Sequence, residues 1–173
     1  MNIHDEILML RALEPTDLEV LYRWENDVKL WHTCSTITPF SRKQLWDYIE
    51  GYDGDIFKSR QLRLMIEEIS TKGVVGTIDL YDFDPVNNRA SVGILLTVDF
   101  QGRGYGKRAM RLFEKYCETF LPINQLICVV AEDNEASLRL FRTLGYREVG
   151  VLKWWLKRGN VYNNALLFQK KIW

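Results

Sequence analysis

The spacing of apolar and polar positions divides this 173-residue chain into a regular series of elements. Ile7 to Leu13 reads as a first strand. Pro15, Thr16 and Asp17 then offer a helix start ahead of Leu18, Leu21, Tyr22 and Trp24, which recur at helical spacing. The stretch from Asn26 to Phe40 is irregular and rich in aromatic residues. Ser41 and Gln44 fit a capping box for a short helix carrying Leu45, Trp46, Tyr48 and Ile49, which ends at the turn residues from Gly51 to Asp55. From Gln61 to Ile69 apolar residues alternate with polar ones. After Thr71, Lys72 and Gly73, the run from Val74 to Tyr81 returns as the second arm of a hairpin.

Turn residues from Asp84 to Asn88 lead into Ala90 to Val98, a nearly continuous apolar strand of the kind buried on both faces. Beyond three alternate glycines, Ala109, Leu112, Phe113, Tyr116 and Phe120 mark one face of a helix, closed by Leu121 and Pro122. Gln125 to Val130 is another buried strand. Asn134 to Leu144 carries Ala136, Leu140, Phe141 and Leu144 at helical spacing and stops at Gly145. Tyr146 to Leu156 and Val161 to Ile172 then form a terminal hairpin over the turn from Lys157 to Asn160. Such alternation around a mixed sheet predicts an α/β or α+β fold. No repeat or linker interrupts it, so a single domain over residues 1–173 is expected.

Composition narrows the class. Apolar residues make up 47% and charged residues 27% of the chain, which suits a well-cored globular protein rather than a disordered one. Lys plus Arg and Asp plus Glu are equal at 23 each, so the chain has no global basic field for nonspecific nucleic-acid binding, and any anion site must be local. Cys34, Cys117 and Cys128 are odd in number and scattered, with only His4 and His32 to join them. Buried free thiols in a reducing cytosol are expected rather than a disulfide framework or a metal site. The acidic start MNIHDE is unlike a signal peptide and no window approaches a membrane span, so a soluble, cytoplasmic protein is expected.

The chemistry concentrates in QGRGYGKR, from Gln101 to Arg108, which follows a buried strand where a helix begins. Glycines there let the backbone approach a ligand, and the unpaired N–H groups at a helix start favour anions, phosphate above all. A P-loop is excluded, because Gln101 and Arg108 stand where its first Gly and its Ser or Thr belong. A dinucleotide fingerprint fails at Lys107, where its third glycine belongs. Arg103, Lys107, Arg108 and Arg111 oppose the helix macrodipole, and no acid lies between Asp99 and Glu114 in sequence to offset them. A bound polyanion reverses that penalty. The alternative is a plain tight turn beside a solvated cationic helix face.

The run QGRGYG, Gln101 to Gly106, resembles the Q/R-x-x-G-x-G/A signature of the Gcn5-related N-acetyltransferase (GNAT) superfamily. AEDNEASLRLFRTLGY, Ala131 to Tyr146, is similar to that superfamily's next motif, in which an Asn after a strand opens a helix ending in Gly and an aromatic residue. The resemblance covers nearly the whole chain and is nearest to the spermidine and ribosomal-protein N-acetyltransferase branch. It implies a mixed, mostly antiparallel sheet of six to seven strands flanked by about four helices, with Ala90 to Val98 and Gln125 to Val130 splaying apart to admit acetyl-CoA. It further implies that the backbone of Ile94, Leu95 and Leu96 pairs with the pantetheine amides. Gln101, Gly102, Arg103, Gly104, Tyr105, Gly106 and Lys107 would cradle the pyrophosphate, and Asn134, with Ser137 near it, would bond the pantetheine arm. Asn134 also suits an ordinary helix N-cap.

The implied reaction is direct attack of an amine on the thioester, without an acyl-enzyme and without a metal. A main-chain N–H around Leu96 is the implied oxyanion donor. The ammonium must first lose a proton, at a cost of about 4 kcal/mol at neutral pH. Asp82, and less so Asp79, are the candidate bases, with His32 a further proton carrier by type. The departing thiolate is often met in this superfamily by a Tyr at the position that Phe141 holds, which leaves Tyr146, Tyr105 or water. Trp24, Trp31, His32, Phe40 and Trp46 can wall the acceptor site or pack in the core. The expected activity is acetyl transfer to a primary amine of a small molecule. The alternatives are a protein N-terminal or Lys acetyltransferase and a noncatalytic acyl-CoA-binding module. The expected partners are acetyl-CoA and an amine, with no nucleic acid or membrane, and a homo-oligomer is possible.

Overall fold

The computed structural model describes residues 3–31 and 38–172. His32 and Cys34 lie outside the described residues. Contacts divide the chain into two compact units, one holding the chain up to Arg11 and from Asp55 onward, the other spanning Ala12–Gly54.

In the smaller unit, a 3-10 turn over Pro15–Asp17 runs directly into α1 (Leu18–Glu25), and Ser41 starts α2 (Arg42–Glu50). The capping box forms as the sequence predicts. The Ser41 hydroxyl accepts from the Gln44 amide at 3.2 Å, and the Gln44 side chain accepts from the Ser41 amide at 2.8 Å. Arg42 joins the two helices, pairing with Glu19 at 2.8 Å and lying 3.9 Å over the Tyr22 ring.

The larger unit carries the eight-stranded sheet, with strands β1 (Ile3–His4), β2 (Leu8–Ala12), β3 (Leu62–Glu68), β4 (Val74–Asp84), β5 (Arg89–Leu96), β6 (Gln125–Ala131), β7 (Arg147–Arg158) and β8 (Val161–Lys171). Their order is β1-β2-β3-β4-β5-β6-β8-β7. Of the pairings whose register is given, only β5 with β6 is parallel. The helices of this unit are α3 (Ile56–Ser59), α4 (Tyr105–Phe120) and α5 (Glu135–Thr143). The fold class is as predicted. The two-residue β1 and the four-residue α3 raise the element count, being too short to show a period in sequence.

Strand alternation decides which face holds the core. Leu62, Leu64 and Ile66 of β3, Ile78 and Leu80 of β4, Ala90 and Val92 of β5, and Leu126 and Cys128 of β6 share one face. Together with Ala109, Met110 and Phe113 of α4 and Leu138 and Phe141 of α5 they form a single buried cluster. At roughly 25 cal/mol per Å² of apolar surface, burying such residues dominates the stability of this unit. The opposite face is more polar. Arg11 pairs with Glu67 at 2.6 Å and Arg63 with Asp79 at 2.6 Å, so acids on β3 and β4 are neutralised by arginines of the same sheet.

Candidate active site

Strands β5 and β6 pair only from Arg89 to Ser91, opposite Gln125 to Ile127. Both then continue, β5 to Leu96 and β6 to Ala131, with no ladder between them. This fork is the splay implied by the family resemblance. It explains why Ile94, Leu95 and Leu96 are half-buried rather than buried on both faces, as their apolar run alone suggests.

Ladder geometry fixes which backbone groups face the opening. The Thr97 amide donates to the Val75 carbonyl at 3.0 Å, continuing the β4–β5 register. In an antiparallel ladder, hydrogen-bonded pairs alternate with pairs whose N–H and C=O groups point away. Leu95 and Gly93 therefore direct their backbone groups to β4, whereas Val92, Ile94 and Leu96 direct theirs into the fork. Of the three backbone candidates, Ile94 and Leu96 have the required orientation. Leu95 does not, because its amide is turned toward β4. The Leu96 carbonyl accepts from the Gln101 side chain at 2.9 Å, which pins the loop to the strand end and leaves the Leu96 N–H directed at the opening.

A short 3-10 turn, Val98–Phe100, leads from β5 to the glycines. Gly102 has φ +74° and Gly104 φ +82°, the left-handed region that favours glycine, and Gly104 is the N-cap of α4. A Cβ at either position meets no atom within 4 Å, so the loop is open to a ligand rather than packed against the protein. No side chain caps α4 and its first turn carries no acid, leaving N–H groups directed outward. Gly106 plays a different part. A Cβ there sits 3.4 Å from Leu140 and 3.5 Å from Leu96, so this glycine permits close packing of α4 beneath the loop.

The cation cluster is partly offset, contrary to the sequence expectation. Arg108 pairs with Asp5 at 3.0 Å, an acid 103 residues away in sequence. Tyr105 donates its hydroxyl to Glu68, stacks edge-on to Phe100 at 5.4 Å, and is thereby bound into the wall of the loop. That bond holds the Glu68 carboxyl below its ordinary value and the Tyr105 phenol above its own. Arg103, Lys107 and Arg111 make no salt bridge among the described residues. Together with the α4 N-terminus they give the loop its excess positive charge.

Across the fork, Asn134 caps α5, its Oδ1 accepting from the Ser137 amide at 3.1 Å. The cap role is thus filled, while the Asn134 Nδ2 makes no hydrogen bond among the described residues and is left to donate. Ser137, half-buried, follows on the first turn.

The proton-carrier candidates separate by environment. Asp82 is exposed, with φ +52°, in a bulge where β4 inserts one extra residue between Tyr81 and Asp84 against β5. Asp79 is not free, being tied to Arg63. Tyr146 is 4% exposed and lies in the core cluster, edge-on to Phe141 (3% exposed) at 5.0 Å. Its hydroxyl has no hydrogen-bond partner among the described residues, and burial, followed by the neighbouring Glu114 carboxylate, pushes its pKa up. Tyr146, a proton-carrier candidate from the sequence, is thus enclosed among core residues. Cys117 and Cys128 are buried free thiols whose pKa burial also raises, so neither is an activated nucleophile.

Glu68 carries no local signal in the sequence, because its partner Tyr105 lies 37 residues away on α4.

A forked sheet with an uncapped, glycine-led helix at its mouth is the arrangement that the family resemblance implies for an acyltransferase with a CoA thioester as donor. The chain belongs to the GNAT acetyltransferase domain family, whose model matches residues 8–147. It is therefore an N-acetyltransferase, with acetyl-CoA as cosubstrate. It is 27% identical over 157 residues to the spermidine N(1)-acetyltransferase of Escherichia coli K12, covering 91% of this chain and 82% of that protein. Among solved structures, it resembles a Vibrio cholerae spermidine N-acetyltransferase in complex with CoA and spermine (TM-score 0.83, 22% identity, 97% of each chain). It is also similar to a ribosomal L7/L12 alpha-N-protein acetyltransferase in complex with coenzyme A (TM-score 0.83, 18% identity, 99% of this chain and 98% of that one).

Proposed function

We propose that the protein transfers the acetyl group of acetyl-CoA directly to the primary amine of a small molecule, in a cytoplasmic setting. The observation carrying this reading is the fork. From Val92 onward β5 offers an unpaired backbone edge that an extended chain bearing amides can continue as a ladder, in the manner of strand addition. Ile94 and Leu96 supply that edge, Asn134 as N-cap of α5 keeps its Nδ2 to donate to the pantetheine arm, and Gly102 to Lys107 present N–H groups to the pyrophosphate. The Leu96 N–H is the oxyanion donor, and such a donor contributes roughly 3 to 4 kcal/mol to acyl transfer.

Charge near the fork favours an acceptor with one reacting cation. Arginines neutralise Glu67 and Asp79, and Asp82 makes no ion pair among the described residues. Asp82 attracts the ammonium and takes its proton. A long polyamine, which gains from several free carboxylates, is served less well than a compact amine. The spermidine enzymes similar to this chain make polyamines the reference acceptors for the test.

Thiol release from acetyl-CoA, followed over polyamines, aminoglycosides, amino acids and N-terminal peptides, tests the reading. A small primary amine is expected to support the highest kcat/KM. Turnover of peptides alone contradicts the proposed acceptor class, and binding of acetyl-CoA without turnover of any amine contradicts acetyl transfer.

A further inference from the structure

Glu68 ends β3 at a turn that is closed on itself. The Glu68 amide donates to the Gly73 carbonyl and the Lys72 amide to the Glu68 carbonyl, each at 2.9 Å. The Thr71 hydroxyl donates to Glu68 Oε2 at 2.8 Å, so the carboxylate is oriented from within its own turn. Its other oxygen, Oε1, accepts from the Tyr105 hydroxyl, 37 residues away in sequence. One side chain thus joins the β3–β4 turn to the glycine loop.

Tyr105 is the first residue of α4, directly after Gly104 at φ +82°. The Arg108 amide donates to the Gly104 carbonyl at 3.2 Å, so the amides of Tyr105, Gly106 and Lys107 precede the helical ladder. The Tyr105 ring lies edge-on to Phe100 at 5.4 Å, and the Arg103 guanidinium lies 5.6 Å over the same Phe100 ring. The residues on either side of Gly104 therefore pack on one ring, and the bond to Glu68 fixes where that unit stands relative to β3. Glycines at positive φ give the loop little stiffness of its own, so this outside tie matters. A carboxylate close to a pyrophosphate site repels the ligand and offsets part of the Arg103 charge. Charge alone argues against a carboxylate at this place, and its contribution is one of geometry.

We propose that Glu68 is a positioning residue for the CoA pyrophosphate: through Tyr105 it holds the start of α4 so that the amides of Tyr105, Gly106 and Lys107 converge on one anion. This rests on the acetyl-CoA placement given above. The role asks for a hydrogen-bond acceptor at Oε1 and not for a charge. It acts on the pyrophosphate end of the donor and not on the thioester end. Both features separate it from a plain packing role.

The test compares wild type, Glu68→Gln, Glu68→Ala and Tyr105→Phe by calorimetric titration of CoA. Thiol release is followed from acetyl-CoA and from S-acetylpantetheine, which lacks the pyrophosphate. Glu68→Ala is expected to lose CoA affinity and to raise KM for acetyl-CoA about tenfold, with kcat, and kcat/KM for S-acetylpantetheine, within twofold of wild type. Glu68→Gln keeps an acceptor oxygen and sheds the charge, so its CoA affinity is expected to equal or exceed that of wild type. Tyr105→Phe keeps the ring and loses the hydroxyl. It is expected to lose CoA affinity as Glu68→Ala does, with no further loss when the two are combined. CoA affinity of Glu68→Ala within twofold of wild type overturns the proposal. So does a Glu68→Ala loss that is equal for both donors, or a Glu68→Gln loss as large as that of Glu68→Ala. Should Glu68→Ala not fold, Tyr105→Phe decides by its own CoA affinity. If wild type releases no thiol with any amine, the acetyl-transfer reading falls, and the CoA titrations still decide the role of Glu68.

Discussion

Asp5 shows how a single residue far from the motif in sequence serves the cofactor loop. Its Oδ1 accepts from the Ile7 and Leu8 amides at 2.7 and 2.8 Å, and its Oδ2 accepts from Arg108 at 3.0 Å. Burial alone raises its pKa. The Leu8 and Ile7 amides and the Arg108 guanidinium together outweigh that, and the net shift is downward. A carboxyl depressed in the folded state stabilises above its unfolded value, here 3.8, and that contribution is lost as pH falls through the folded value. Asp5→Asn is therefore expected to lower Tm at pH 7, with the two melting curves converging near pH 2. A Tm difference that persists unchanged at low pH contradicts the ionic origin. The pair is well exposed, so its effect is small, within about 1 kcal/mol.

At the scale of elements, β4 does most to shape the site. Gly76 lies opposite Leu96, and a Cβ there runs into the Leu95 carbonyl oxygen and comes within 2.9 Å of the Leu96 side chain. Only glycine lets β4 lie so close to the strand that holds the fork. Gly76→Ala is expected to destabilise the fold by about 1 to 3 kcal/mol through overpacking, and to weaken hydrogen-exchange protection of the β4 and β5 amides first. A variant of unchanged Tm and protection contradicts this packing.

The bulge at the other end of β4, where Asp82 and Phe83 stand opposite Ala90, was illegible in the sequence. The extra residue exists only relative to β5, and Asp82 looks like any polar residue at a strand end. What was legible was local. The Ser41 box, the Asn134 cap, the two hairpins and the glycine turn each announce themselves within a few residues. The inward or outward direction of Leu95 against Ile94 and Leu96 needed the register. The neutralisation of Arg108 and Asp79 needed partners at sequence distances of 103 and 16.

At the scale of the molecule, a chain of zero formal charge concentrates cations where α4 begins and glycines at positive φ just before it. No described helix is long and apolar enough to cross a membrane. Tyr146 and Phe141 lie in the core, whereas Ile94 and Leu96 turn their backbone groups into the fork beyond the paired stretch of β5 and β6. The central claim is that acetyl-CoA binds in the fork with its pyrophosphate on the Gly102 to Lys107 turn. Gly104→Val probes it directly, because the added side chain enters open space over the turn and forces φ +82° on a β-branched residue. Titration of CoA into wild type and this variant by calorimetry is expected to show saturable binding to wild type and at least a tenfold loss in the variant. Thermal unfolding of the variant is expected to stay cooperative. Equal CoA affinity in the two proteins contradicts the account.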